Sequence, residues 1–159
     1  MTATDRAARA VFALLVAACF AAFFVTQRLK HTPTVVQMFK MTPSFSPSLS
    51  GRLKRERISF RLARSDEVTV TIVNSAGSEV ATLTHEFPVT RYKQFSLRWN
   101  GRLGRAHGYA LVSEQAGHTS LLPTNLGPVA PAGDYRVRVS LHRERRAVLS
   151  PRSFALVRR

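Results

Sequence analysis

Residues able to do acid–base, nucleophilic or metal chemistry are few and poorly placed for it. The five histidines are His31, His85, His107, His118 and His142, and no two share the i, i+4 spacing that pairs imidazoles on one helical face. Beyond residue 31 the carboxylates are Glu56, Asp66, Glu67, Glu79, Glu86, Glu114, Asp134 and Glu144. Asp66 and Glu67 lie in a turn before a strand pattern and Asp134 opens another, which are turn and surface roles. No two carboxylates are placed as a general acid and base. Ser113, Glu114 and Ser120 accompany His107 and His118, but no nucleophile elbow or oxyanion pattern surrounds them. There is no Gly-rich phosphate loop. The one cysteine, Cys19, lies in an apolar run, which leaves the rest of the chain without thiol, disulfide or cysteine–zinc chemistry. The expectation is a non-catalytic protein with no cofactor and no metal.

The chemistry in abundance is cationic. Among 159 residues, 24 are Lys or Arg and 9 are Asp or Glu, a formal charge of +15. Such an excess suits an anionic partner such as acidic lipid, a cell-wall polymer or nucleic acid; a solvated, Arg-biased surface is the plain alternative. Arg52, Lys54, Arg55 and Arg57 gather before one strand pattern. Arg136 and Arg138 share the outward face of another, and Arg143, Arg145 and Arg146 fill a hairpin tip. These nine are the candidate anion contacts.

Two kinds of element must carry these residues. Residues 10–27 form an uncharged run of 18, long enough to cross hydrocarbon as a helix, with Arg6 and Arg9 before it and Arg28 and Lys30 after it. A retained transmembrane helix is favoured, with residues 1–9 as a short tail. A cleaved signal peptide is disfavoured because Thr26-Gln27-Arg28 offers no small-x-small cleavage site. Val16-Ala17-Ala18-Cys19 fits the short lipoprotein pattern, but apolar residues continue through Val25, so Cys19 reads as a small helical residue. Flanking cations do not decide orientation. A short tail followed by a whole domain favours a cytoplasmic N-terminus with the domain outside.

Residues 28–42 read as a linker holding an edge strand around Val35, Val36, Met38 and Phe39, limited by Pro33 and Pro43. Period-two alternation follows at Ile58/Phe60/Leu62, Val68/Val70/Ile72, Phe95/Leu97/Trp99 and Tyr135/Val137/Val139/Leu141. Asn74-Ser75-Ala76-Gly77-Ser78 is a turn, with Glu79 to Leu83 returning as hairpin partner. A polar turn at His142 to Arg146 precedes a last strand from Val148 to Val157. Short strands at regular spacing predict an all-β antiparallel sandwich or barrel.

Four patterns occur in order: Phe45-Ser46-Pro47 with Gly51 before Ile58-Ser59-Phe60; Val68 to Ile72 with Asn74-Ser75-Ala76-Gly77; Trp99-Asn100-Gly101; and Pro131-Ala132-Gly133-Asp134-Tyr135. Together they resemble the immunoglobulin-like domain of flagellar hook capping proteins and other bacterial surface proteins, over residues 43–157. The resemblance implies an immunoglobulin-like antiparallel β-sandwich in residues 43–159. Trp99 is expected in the core, Gly101 and Gly133 at tight backbone positions, and Tyr135 as a core ring with its hydroxyl at the surface. Some relatives carry an acidic, cation-holding loop where this chain has residues 48–56, rich in Arg and Lys, so no calcium is expected there. Residues 102–130 are an insertion where relatives have a short turn. As a long loop it is the candidate partner site, through Tyr109, Leu111, Leu121 and Leu122.

The expected function is a binding or assembly module of the bacterial cell envelope, integral and single-pass in the cytoplasmic membrane, with its domain on the extracytoplasmic side. Its expected partner is an envelope protein or an anionic polymer or lipid, with nucleic acid disfavoured; the sequence does not give the oligomeric state. The alternatives are a passive spacer in a membrane complex, or a cytoplasm-facing basic domain that binds nucleic acid or anionic lipid.

Overall fold

Residues 3 to 30 contain neither Gly nor Pro, and this stretch forms one helix, α1 (Ala3–Lys30). The computed structural model describes residues 3–30, 35–113 and 119–158, with α1 side chains described from 11 to 26. The chain divides into two units, Met1–Thr34 and Val35–Arg159. Every α1 side chain from Val11 to Thr26 is exposed within the chain. The Thr26 hydroxyl donates to the Ala22 carbonyl at 2.7 Å, so the helix satisfies its own polar group. Among the described residues, no helix is long and apolar enough to cross a membrane. The expected transmembrane helix over 10–27 is met as a helix, α1, and not as a membrane span.

The second unit is β-rich. Its strands are β1 (Val36–Met41), β2 (Ser44–Phe45), β3 (Glu56–Leu62), β4 (Asp66–Asn74), β5 (Glu79–Val89), β6 (Gln94–Trp99), β7 (Gly104–Ser113), β8 (Thr119–Asn125), β9 (Gly133–Leu141), β10 (Arg146–Leu149) and β11 (Phe154–Leu156). A 3₁₀ turn, Gly51–Lys54, precedes β3. The strands join in one sheet in the order β1-β3-β6-β8-β7-β5-β4-β9-β11-β2, with β10 paired to β9. The sheet curls so that its two halves share a core. Trp99 of β6 lies 5.6 Å from Phe45 of β2, 5.8 Å from Tyr135 of β9 and 6.1 Å from Phe154 of β11. Ile58, Phe60, Leu62, Val68, Val70, Ile72, Leu97, Val137 and Val139 fill the space between.

Three expectations are corrected. The sheet is mixed: β5 with β7, β6 with β8, and β2 with β11 run parallel. The stretch from Val148 to Val157 is two strands, since Ser150 turns inward, accepting from Val137 N at 3.1 Å and donating to Arg152 O at 2.7 Å. Residues 102–130 are a β-hairpin, β7–β8, built into the sheet, with only 114–118 outside the described residues. Asn125 secures it: its Nδ2 donates to Gly104 O at 2.6 Å and Thr82 O at 3.2 Å. β1 lies at one end of the strand order, and Gly77 takes a left-handed φ of 79° in the β4–β5 turn.

Candidate anion-binding groove

The run from Gly51 to Arg57 changes conformation at Arg55, where the 3₁₀ turn opens into β3. Extended backbone sends successive side chains to opposite faces. Glu56 therefore joins Ile58, Phe60 and Leu62 inside, while Arg55 and Arg57 turn away from the core. On β6, Arg98 lies directly opposite Arg57. The result is a groove of about 780 Å³ lined by the 3₁₀ turn, the starts of β3 and the end of β7. Arg52, Lys54, Arg55, Arg57 and Arg98 supply its cations, and Thr42 and Ser113 add polar groups. Arg52, Lys54 and Arg57 are exposed, whereas Arg55 and Arg98 are half-buried. The Arg98 pKa is lowered, first by burial and then by the charges of Arg57 and Arg55.

Behind this wall lies Glu56, fully buried. Its Oε1 accepts from Thr42 N at 2.8 Å, and its Oε2 has no hydrogen-bond partner. Burial pushes the pKa from 4.5 up to about 8, outweighing the lowering by the backbone donors of Thr42 and Arg57. At neutral pH this carboxyl is uncharged and leaves the local charge positive.

Of the candidate anion contacts, the fold brings Arg52, Lys54, Arg55 and Arg57 to the groove. Arg136, Arg138, Arg143, Arg145 and Arg146 lie on β9, β10 and the turn between them and are not part of it. Arg138 is engaged locally, donating to Gly77 O at 2.9 Å. Arg98, outside the nine candidates, also lines the groove; its place opposite Arg57 needs the β3–β6 register.

The insertion candidates separate. Leu121 is buried and pairs with Leu97. Leu122 is half-buried, while Tyr109 and Leu111 are exposed at 42% and 72%. A partner could therefore reach Tyr109 and Leu111, but not Leu121. The motif residues converge on the core. Trp99 is fully buried, with its Nε1–H donating to Arg102 O at 2.9 Å. Gly101 has φ 77°, and a Cβ there would lie 2.7 Å from Pro47 Cγ, so Gly101 lets the Phe45-Ser46-Pro47 segment close over Trp99. Tyr135 is buried and its hydroxyl donates to Pro131 O at 2.7 Å. Gly133 has φ 155° with open space around it.

Among the described residues, no three His, Cys, Asp or Glu side chains cluster to hold a metal ion. Among the described residues, the groove has no nucleophile–base pair. What it can do is hold anionic groups by charge and by guanidinium forks. Comparison of the chain with protein-family models and with curated proteins finds no match.

Proposed function

We propose that this chain is a membrane-tethered, non-catalytic binding or assembly module of the bacterial cell envelope: α1 anchors it and an immunoglobulin-like unit on the extracytoplasmic side engages an anionic partner. The observation that carries the tether is the apolar surface of α1. Its exposed side chains include Val11, Phe12, Leu14, Leu15, Phe20, Phe23 and Phe24, each more than half exposed. No polar stripe interrupts them, and a helix apolar all round does not lie at an interface as an amphipathic one does. The sixteen described residues 11–26 span about 24 Å, and the uncharged run 10–27 about 27 Å, close to the ~30 Å hydrocarbon core.

Support for the immunoglobulin-like reading comes from the cluster around Trp99. Three of the four motif segments, at Phe45, Trp99 and Tyr135, meet there. The Tyr135 hydroxyl bond to the backbone four residues upstream is a habit of such sandwiches. The test is fractionation with a topology reporter fused after Arg159. The protein should resist alkaline carbonate extraction, and a reporter active only outside the cytoplasm should be active. Release by carbonate would remove the anchor; a reporter active only in the cytoplasm would reverse the orientation.

A further inference from the structure

We infer that the free edge of β7 is a docking site for an extended, acidic segment of a partner protein, which adds a strand to the sheet beside Tyr109 to Ser113. This goes beyond the envelope-module reading and rests neither on the groove nor on the anchor. Strand pairing carries it. β7 pairs with β8 from Tyr109 to Ser113. On its other side it meets β5 only at Gly104 and Arg105, opposite Ala81 and Thr82. Asn125 fastens that junction through Gly104 O and Thr82 O. Past Arg105 the two strands part. Phe87 of β5 still meets the Tyr109 ring at 5.8 Å, but as side chain against side chain. Among the described residues, none pairs with Tyr109 to Ser113 on the side away from β8. Ala110 and Leu111 are successive strand residues that point to opposite faces, and both are exposed.

That edge is equipped to pair. Opposite Tyr109 stands Pro123, which has no N–H to give. The ladder bonds to β8 therefore fall at Ala110 and Val112, and Tyr109, Leu111 and Ser113 turn their N–H and C=O groups outward. Sheet edges are ordinarily blunted by charge, proline, bulges or brevity. In β7 the register shifts between Ala106 and Tyr109, but beyond it the pairing is regular, and Ala106 to Ser113 contains no Lys, Arg, Asp, Glu or Pro. Strand addition draws affinity from main-chain bonds and specificity from pockets for alternate side chains. A cleft of about 230 Å³ opens where β5 and β7 part, with Thr84, His85, Arg105 and Tyr109 in its lining. Among the described residues that line it, none is acidic, and Arg105 is exposed, so it suits a carboxylate of the incoming segment. Charge also argues against a second copy as the occupant. Val35–Arg159 has 20 Lys or Arg against 8 Asp or Glu, a formal +12, so two such units repel where an acidic partner is drawn in.

The test offers the full chain in neutral detergent micelles to a phage-displayed library of random heptapeptides, with empty micelles as the background. Enriched peptides should alternate β-branched or aromatic residues and carry Asp or Glu. The leading peptide, made synthetically, is then titrated by fluorescence polarisation. Leu111→Pro removes an outward N–H and should lose at least tenfold in affinity; Leu111→Ala keeps the backbone and should stay within threefold. Arg105→Ala should lose severalfold for this peptide and nothing for the same peptide with Gln in place of its acidic residue. In the native chain, saturating peptide should slow hydrogen exchange at the Leu111 amide, and that measurement decides should Leu111→Pro fail to fold. No enrichment over empty micelles, enriched peptides without an acidic residue, equal affinities of folded Leu111→Pro and the native chain, or unchanged exchange at Leu111 would each overturn the inference. So would self-association of the native chain that Leu111→Pro abolishes, which would give the edge to a second copy.

Discussion

Glu56→Gln should make the β unit more stable at neutral pH and remove most of a pH dependence. The native carboxyl has a folded pKa of about 8 against an ordinary 4.5. Below 4.5 the folded and unfolded chains both hold the proton, and the group's stability contribution is fully present. Between the two values the unfolded chain releases its proton while the folded chain retains it. Stability therefore falls as pH rises, by up to about 1.4 kcal/mol per unit, and levels off above the folded value. From pH 5 to pH 8 the accumulated loss is roughly 3–4 kcal/mol. Glutamine does not ionise and keeps an oxygen for Thr42 N. Its amide replaces the buried Oε2, which has no partner, so it leaves donors unsatisfied and subtracts about 1–2 kcal/mol at every pH. The variant should thus be no more stable than the native chain at pH 5 and clearly more stable at pH 8. Urea denaturation of the full chain in micelles, followed by fluorescence of the single tryptophan, Trp99, measures both at each pH. Histidine titrations are common to the two proteins and cancel in the difference. Parallel stability curves from pH 5 to pH 8 would refute the reasoning, since they would mean a Glu56 carboxyl that ionises in the folded state near its ordinary value.

Trp99→Ala should cost roughly 3–5 kcal/mol, because a fully buried ring in contact with Phe45, Tyr135 and Phe154 leaves a cavity; a circular-dichroism melt reads it, and an unchanged transition would place the ring outside the core. Replacing residues 104–125 with a two-residue turn should abolish the cooperative melt, since it removes Leu121 and Asn125 and exposes β6; a retained melt would show the hairpin to be an appendage.

The legible parts of this fold were those written in local alternation. β3, β4, β6 and β9 bury alternate residues where the sequence has Ile58, Val68, Phe95 and Tyr135, and Asn74 to Ser78 turns where glycine allows it. The β7–β8 hairpin was hidden for a physical reason. β7 is exposed or half-exposed along its whole length, so it has no apolar period, and Gly104, Gly108 and Pro123 read as loop residues. Parallel pairing leaves no local trace, because it joins residues by their place in the sheet. The groove was half legible: the run Arg52 to Arg57 stood out, but Arg98 enters only through its register with Arg57. Glu56 was readable in principle, since it alternates with Ile58 and Phe60, but a carboxylate amid cations suggests a solvated loop.

The strand order opens with β1 and closes with β2, and neither end suits further growth of the sheet. In β1 the pairing register slips between Gln37 and Lys40, and Met38 takes a left-handed φ of 52°, which interrupts the line of backbone donors and acceptors. β2 is two residues long. An incoming strand would find too little regular backbone to pair with at either place. Copies of this domain crowded together should therefore resist fibril-like stacking through these two ends, even though the sheet is never closed into a ring by pairing β1 with β2.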